Sequence, residues 1–140
     1  YNFDIFIDKN YMKINETNSF LWIGRGYPYR WIVFDIVDDS NYTDVWSFYT
    51  ERIQKNINGL NISEYYRNEE IFDDGIILNG IYDYDVSDTG GPFFTYIFDK
   101  YIDNKLILVS GFVSNPGKDK YLLLKEIELI VKNIKGINNE

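Results

Sequence analysis

A chain of 140 residues, 45% of them hydrophobic and 26% charged, has enough apolar material to bury one core. Its 22 acidic against 14 basic residues leave a net charge of −8, which repels nucleic acid and anionic lipid surfaces alike. Histidine and cysteine are absent, so Ser-His-Asp and Cys-His nucleophiles, Cys/His zinc sites and disulfides are excluded; carboxylates, Lys, Tyr and Arg remain for acid–base or electrostatic work.

The first predicted element is a short strand, Phe3-Asp4-Ile5-Phe6-Ile7. A polar stretch over 15–19 leads into a second strand, Phe20-Leu21-Trp22-Ile23. Gly24-Arg25-Gly26-Tyr27-Pro28 is a connection rich in breakers, and 29–37 reads as a third strand. Asp38-Asp39-Ser40-Asn41 makes a turn that doubles as a helix start, with Asn41 or Thr43 as cap and Asp44 in the first turn. Over 43–58 the positions Val45, Trp46, Tyr49, Ile53 and Ile57 recur at helical spacing, and Gly59 supplies a stop.

The stretch 60–75 has no clear period, and 76–82 is a strand in which Gly80 marks a bulge. Gly90, Gly91 and Pro92 then predict a structural turn, because Gly takes φ > 0 freely and Pro cannot donate to a ladder. Beyond it, 93–101 and 105–113 form a hairpin about Asp103-Asn104. A last helix over 118–135 carries Leu123, Leu124, Ile127, Ile130, Val131 and Ile134 along one stripe, and 137–140 is a frayed tail. The whole is a single α+β domain over 1–140: a mainly antiparallel sheet of five to six strands with two amphipathic helices packed on it. No apolar run approaches the roughly 20 residues that span a bilayer.

The richest candidate site is Trp22, Arg25, Tyr27, Tyr29, Arg30 and Trp31. Two arginines among four rings can stack on a sugar, grip a carboxylate or anchor a partner protein, the partner being the preferred reading. The competing reading buries Trp22 and Trp31 by strand alternation and leaves Arg25, Tyr27 and Arg30 without an internal role. The 19% aromatic content, in a chain without alanine, fits AT-rich coding, so ring counts alone argue for nothing. Asp83, Asp85 and Asp88 depart from a calcium loop, since Asp88 holds the tight-turn position and Phe94 stands where a bidentate Glu belongs. Asp38-Asp39, Glu69-Glu70 and Asp73-Asp74 are the carboxylate pairs that an acid–base hydrolase would need. No catalytic residue, metal ligand or cofactor is assigned.

Phe20-Leu21-Trp22-Ile23-Gly24-Arg25, Gly80-Ile81-Tyr82 ahead of Gly90-Gly91-Pro92-Phe93, Ser110-Gly111-Phe112-Val113 and Pro116-Gly117-Lys118-Asp119-Lys120 share an order with one known family. In that order the chain resembles the domain family of unknown function numbered 4837, found in lipoproteins of Bacteroidota. It departs from the pattern at Tyr82 and Thr89, where the family has Trp and Met. The resemblance implies the C-terminal portion of a longer lipoprotein, with a signal peptide and lipid-bearing cysteine upstream. It also implies a bacterial envelope location, membrane attachment only through a lipid anchor outside this chain, and other envelope proteins as partners. It brings no activity. The expected function is therefore a non-catalytic interaction or scaffold domain of an envelope assembly. A carbohydrate- or peptidoglycan-binding module is the alternative, and a carboxylate-based hydrolase the second.

Overall fold

Runs of β-branched and aromatic residues set the middle of this fold, because such side chains pack well on a pleated surface. The computed structural model describes residues 11–25, 30–38, 42–99 and 105–114, together with 125 and 129. Within them β1 (Met12–Glu16), β2 (Phe20–Arg25), β3 (Arg30–Val37), β4 (Leu60–Ile62), β5 (Asn68–Phe72), β6 (Gly75–Tyr84), β7 (Thr89–Phe98) and β8 (Leu106–Val113) form one sheet, with α1 (Val45–Asn56) between β3 and β4. The order is β1-β2-β3-β8-β7-β6-β4, β5 also pairs β6, and every pairing is antiparallel.

This corrects the expected five to six strands with two helices. Among the described residues the fold is mostly antiparallel sheet, eight strands in a curled half-barrel, with the helix α1 on it. The added strands are β1, β4 and β5, all at the sheet's margins. Outside the described residues lie the strand expected over 3–7, the turn about Asp103-Asn104 and the tail 137–140. So does the helix expected over 118–135, apart from Lys125 and Leu129, which are helical and exposed.

The sheet is buried on both faces. On the helix side Val33, Val37, Leu78, Tyr82, Phe93, Ile97, Leu108 and Phe112 pack with Val45, Trp46, Tyr49 and Ile53 of α1, the stripe that the sequence predicts. On the other side Leu21, Ile23, Ile32, Phe34, Phe94, Tyr96, Phe98, Val109 and Val113 form a second cluster. Two-sided burial explains why β3, β7 and β8 read as continuous apolar runs rather than alternating ones. The helix is capped by Asp44, not by Thr43: its carboxylate accepts from Ser47 N at 3.3 Å and from Ser47 Oγ at 2.6 Å. Asn41 lies outside the described residues.

The predicted turn at Gly90, Gly91 and Pro92 is also corrected. These residues sit inside β7, opposite Asp83, Tyr82 and Ile81 of β6. The reversal occurs at 85–88, closed by the pair Tyr84↔Thr89, and its left-handed residue is Asp88 at φ 51°. The glycines are there for room: the Val113 carbonyl occupies the place a Cβ on Gly91 would take. Pro92 lies just before the β7–β8 ladder begins at Phe93↔Phe112. Nor does Gly80 mark a bulge, since the β6–β7 register runs through it unbroken; a Cβ there would stand 2.8 Å from the Phe93 ring.

Two polar contacts fasten α1 to the sheet. Asp35, 3% exposed in β3, receives Arg52 Nε at 3.0 Å and Arg52 Nη2 at 2.8 Å, with Asn56 Nδ2 at 3.3 Å. Tyr49 donates to Ser110 Oγ at 2.8 Å, and Ser110 donates to Thr95 Oγ1 at 2.9 Å. Breaking a buried ion pair from one side leaves an uncompensated charge. Arg52→Met is expected to cost about 3 kcal/mol by urea denaturation, and Asp35→Leu added to it to recover most of that loss. A single-variant loss under about 1 kcal/mol would mean that the pair does not hold the helix.

Candidate functional site

The β2–β3 ladder decides what the 22–31 segment can do. Strand side chains alternate between faces, and the register pairs Trp22 with Val33, Gly24 with Trp31, and Arg25 with Arg30. Trp22 and Trp31 therefore share the α1 face, while Arg25 and Arg30 share the opposite one. The sheet separates the rings from the guanidiniums.

Each half is then absorbed locally. Trp22 and Trp31 meet edge to face at 5.2 Å, Trp31 meets Tyr84 at 5.1 Å, and Tyr82 meets Phe112 at 5.0 Å. Both indoles are half-buried against the helix-side core. Arg30 is 4% exposed and lies over the Tyr11 ring at 5.9 Å, whereas Arg25 is half-buried. Tyr27 and Tyr29 lie outside the described residues. The structure thus brings two of the six residues together as rings and two as cations, on opposite sides of one sheet.

Of the sequence-predicted acids, Asp83 and Asp85 meet on one amide while Glu69 and Glu70 turn apart, and Asp39 lies outside the described residues. Glu69 and Glu70 are successive residues of β5 and point to opposite faces. Asp38 pairs with Lys105. Asp83 and Asp85 both accept from Asn61 Nδ2, at 2.8 and 3.0 Å. Among the described residues no group of three metal-ligating side chains comes together.

A different surface stands out at the other margin. Between β4 and β5, Ser63 ties the loop down: its N–H bonds Ile81 O at 2.9 Å, its Oγ accepts from Tyr65 N at 3.0 Å, and its carbonyl accepts from Arg67 Nε at 2.9 Å. Arg67 also lies over the Trp46 ring of α1 at 4.7 Å, beside an open cleft of about 360 Å³ lined by Thr50, Glu51, Gln54 and Glu64. On this anchored loop Tyr65 is 73% and Tyr66 83% exposed, and Tyr66 holds φ 61°, a strained value for a non-glycine residue. The loop enters β5, where Ile71 is 80% and Phe72 46% exposed. The only trace of this surface in the sequence is the Tyr65-Tyr66 doublet and the Ile71-Phe72 pair, which do not stand out in so aromatic a chain.

In class, then, the described residues form an antiparallel-sheet domain with α1 docked on the sheet and an aromatic loop on one margin. The model of the domain of unknown function DUF4837 matches residues 1–133, and the chain belongs to that family. A comparison with curated proteins finds no match.

Burial pushes the Tyr49 phenol well above its ordinary value, and the nearby Asp35 charge adds to that rise against the hydrogen bond to Ser110. Burial does the same to Tyr82. Because the folded-state values are raised, both contribute full stability below the unfolded value of 10.0 and lose it as pH climbs beyond. Unfolding free energy should fall above pH 10 with a slope of about 1.4 kcal/mol per pH unit for each of these tyrosines. Tyr49→Phe and Tyr82→Phe should each remove that increment of slope in urea titrations, whatever their effect on baseline stability. An unchanged slope would show phenols that ionise freely in the folded protein.

Proposed function

We propose that this domain is a non-catalytic interaction module whose adhesive surface is the 65–72 segment rather than the 22–31 connection. The observation that carries the reading is the exposure of Tyr65, Tyr66, Ile71 and Phe72 within one loop and the strand it enters. Single exposed apolar residues are ordinary, but four within eight successive positions, two on the loop and one on each face of β5, concentrate apolar surface along this margin. Tyrosines held on a fixed turn offer large contact area with little rotamer entropy left to lose. In this reading the partners are other envelope proteins of a Bacteroidota cell. The domain forms part of a lipoprotein in a membrane-associated assembly, with its lipid anchor on a segment outside this chain.

A glycan module built on Trp22, Tyr27, Tyr29 and Trp31 has less support, because two of those rings spend their edges and faces on Tyr84, Tyr82 and Phe112. A hydrolase built on Glu69 and Glu70 has less still, since a strand turns them away from each other. A photoreactive phenylalanine analogue placed at Tyr66 in the full-length protein in its native cells should yield one discrete cross-linked product, absent when the probe stands at Lys13. Cross-links from Tyr27 with none from Tyr66 or Ile71 would return the surface to the 22–31 connection.

A further inference from the structure

The two margins of the sheet are built differently. At one margin β1 carries Lys13 and a register shift between Lys13 and Asn15, two devices that blunt an edge against further pairing. At the other margin β5 holds five unshifted pairs with β6, from Asn68↔Asn79 to Phe72↔Gly75. It has no lysine, proline or bulge, all five of its side chains are exposed, and among the described residues its strand partner is β6 alone. In an antiparallel strand alternate residues turn their N–H and C=O groups away from the neighbour. The outer edge of β5 is thus a row of backbone donors and acceptors beside exposed Ile71 and Phe72.

Resting on the interaction reading above, we propose that this edge accepts an added strand from a partner protein, and that the added strand is basic and apolar in sequence. A second copy of this chain is the wrong occupant. Antiparallel self-pairing centred on Glu70, or between Glu69 and Glu70, sets carboxylate directly against carboxylate, and each copy brings a net charge of −8. A foreign strand meets a different pattern. Glu69 and Ile71 stand on one face of β5 and Glu70 and Phe72 on the other, so each face offers one carboxylate and one apolar side chain. An antiparallel strand that runs apolar, apolar, basic, basic places an apolar residue opposite Phe72 and Ile71 and a cation opposite Glu70 and Glu69. Main-chain bonds supply affinity and these pairs supply specificity, as in other strand-addition complexes.

The test uses the whole chain, isotope-labelled, and two capped peptides, one with Ile-Val-Lys-Lys at its centre and one with Ile-Val-Glu-Glu. The lysine peptide should shift the amide resonances of 68–72 saturably and bind at least tenfold more tightly than the glutamate peptide. N-methylation of its alternate, inward-facing amides should cost tenfold or more, and Glu69→Lys with Glu70→Lys should reverse the charge preference. Equal binding of both peptides, insensitivity to N-methylation, shifts confined elsewhere, or self-association through β5 would each overturn strand addition. Cross-linking from Tyr66 in cells with silent 68–72 amides would sink this inference while leaving the interaction reading intact; failure of both would sink both.

Discussion

Asp35 stands in the middle of a strand whose neighbours are nearly all buried and apolar, and a carboxylate there is sustained only because Arg52 reaches it with two hydrogen bonds from the helix. Much follows from that contact. It fixes α1 across β3, while Tyr49, bonded to Ser110 and stacked on Phe93 at 5.6 Å, fixes it over β7 and β8. A helix so held presents Trp46 to Arg67, and Arg67 in turn grips the Ser63 carbonyl. The loop that bears Tyr65 and Tyr66 is therefore tied, side chain by side chain, back to a buried aspartate. A strained φ at Tyr66 persists in such a setting because the surroundings over-determine it.

The parts of this fold that were legible in the sequence are those where burial writes the pattern. The helix stripe Val45, Trp46, Tyr49 and Ile53, the central strand β3 and the β7–β8 hairpin all follow from apolar periodicity or apolar runs. Marginal strands escape that logic. Met12-Lys13-Ile14-Asn15 does alternate, yet β1 is exposed throughout, and Asn68-Glu69-Glu70-Ile71-Phe72 is a strand only because β6 supplies a ladder for it. Gly90-Gly91-Pro92 misled for another reason: the residues that punctuate turns are also the ones that let two backbones approach, and here Val113 demanded the space.

The separation of the candidate site's rings from its cations is legible in the sequence. Counting from Trp22 to Arg25 and from Arg30 to Trp31 with a period of two already assigns rings and cations to opposite faces. The 65–72 surface had no comparable signature, because in a chain of 19% aromatics a Tyr-Tyr doublet is unremarkable until its exposure is known. Membership of a domain family of unknown function leaves the chemistry to be argued from the surface itself. In the proposed reading that surface works by adhesion, through rings, apolar side chains and a backbone edge that pairs only with β6 among the described residues.

Residue-resolved hydrogen exchange on the full-length protein tests this account most directly. An open edge predicts alternation along β5: the amides that face β6 exchange slowly and the intervening ones at nearly the rate of unstructured chain, while β6 is protected over 75–79 and 82–84, where it pairs on both sides. Uniform protection across 68–72 in the isolated protein would mean that the edge is already satisfied, and the surface assigned here to a partner would be closed.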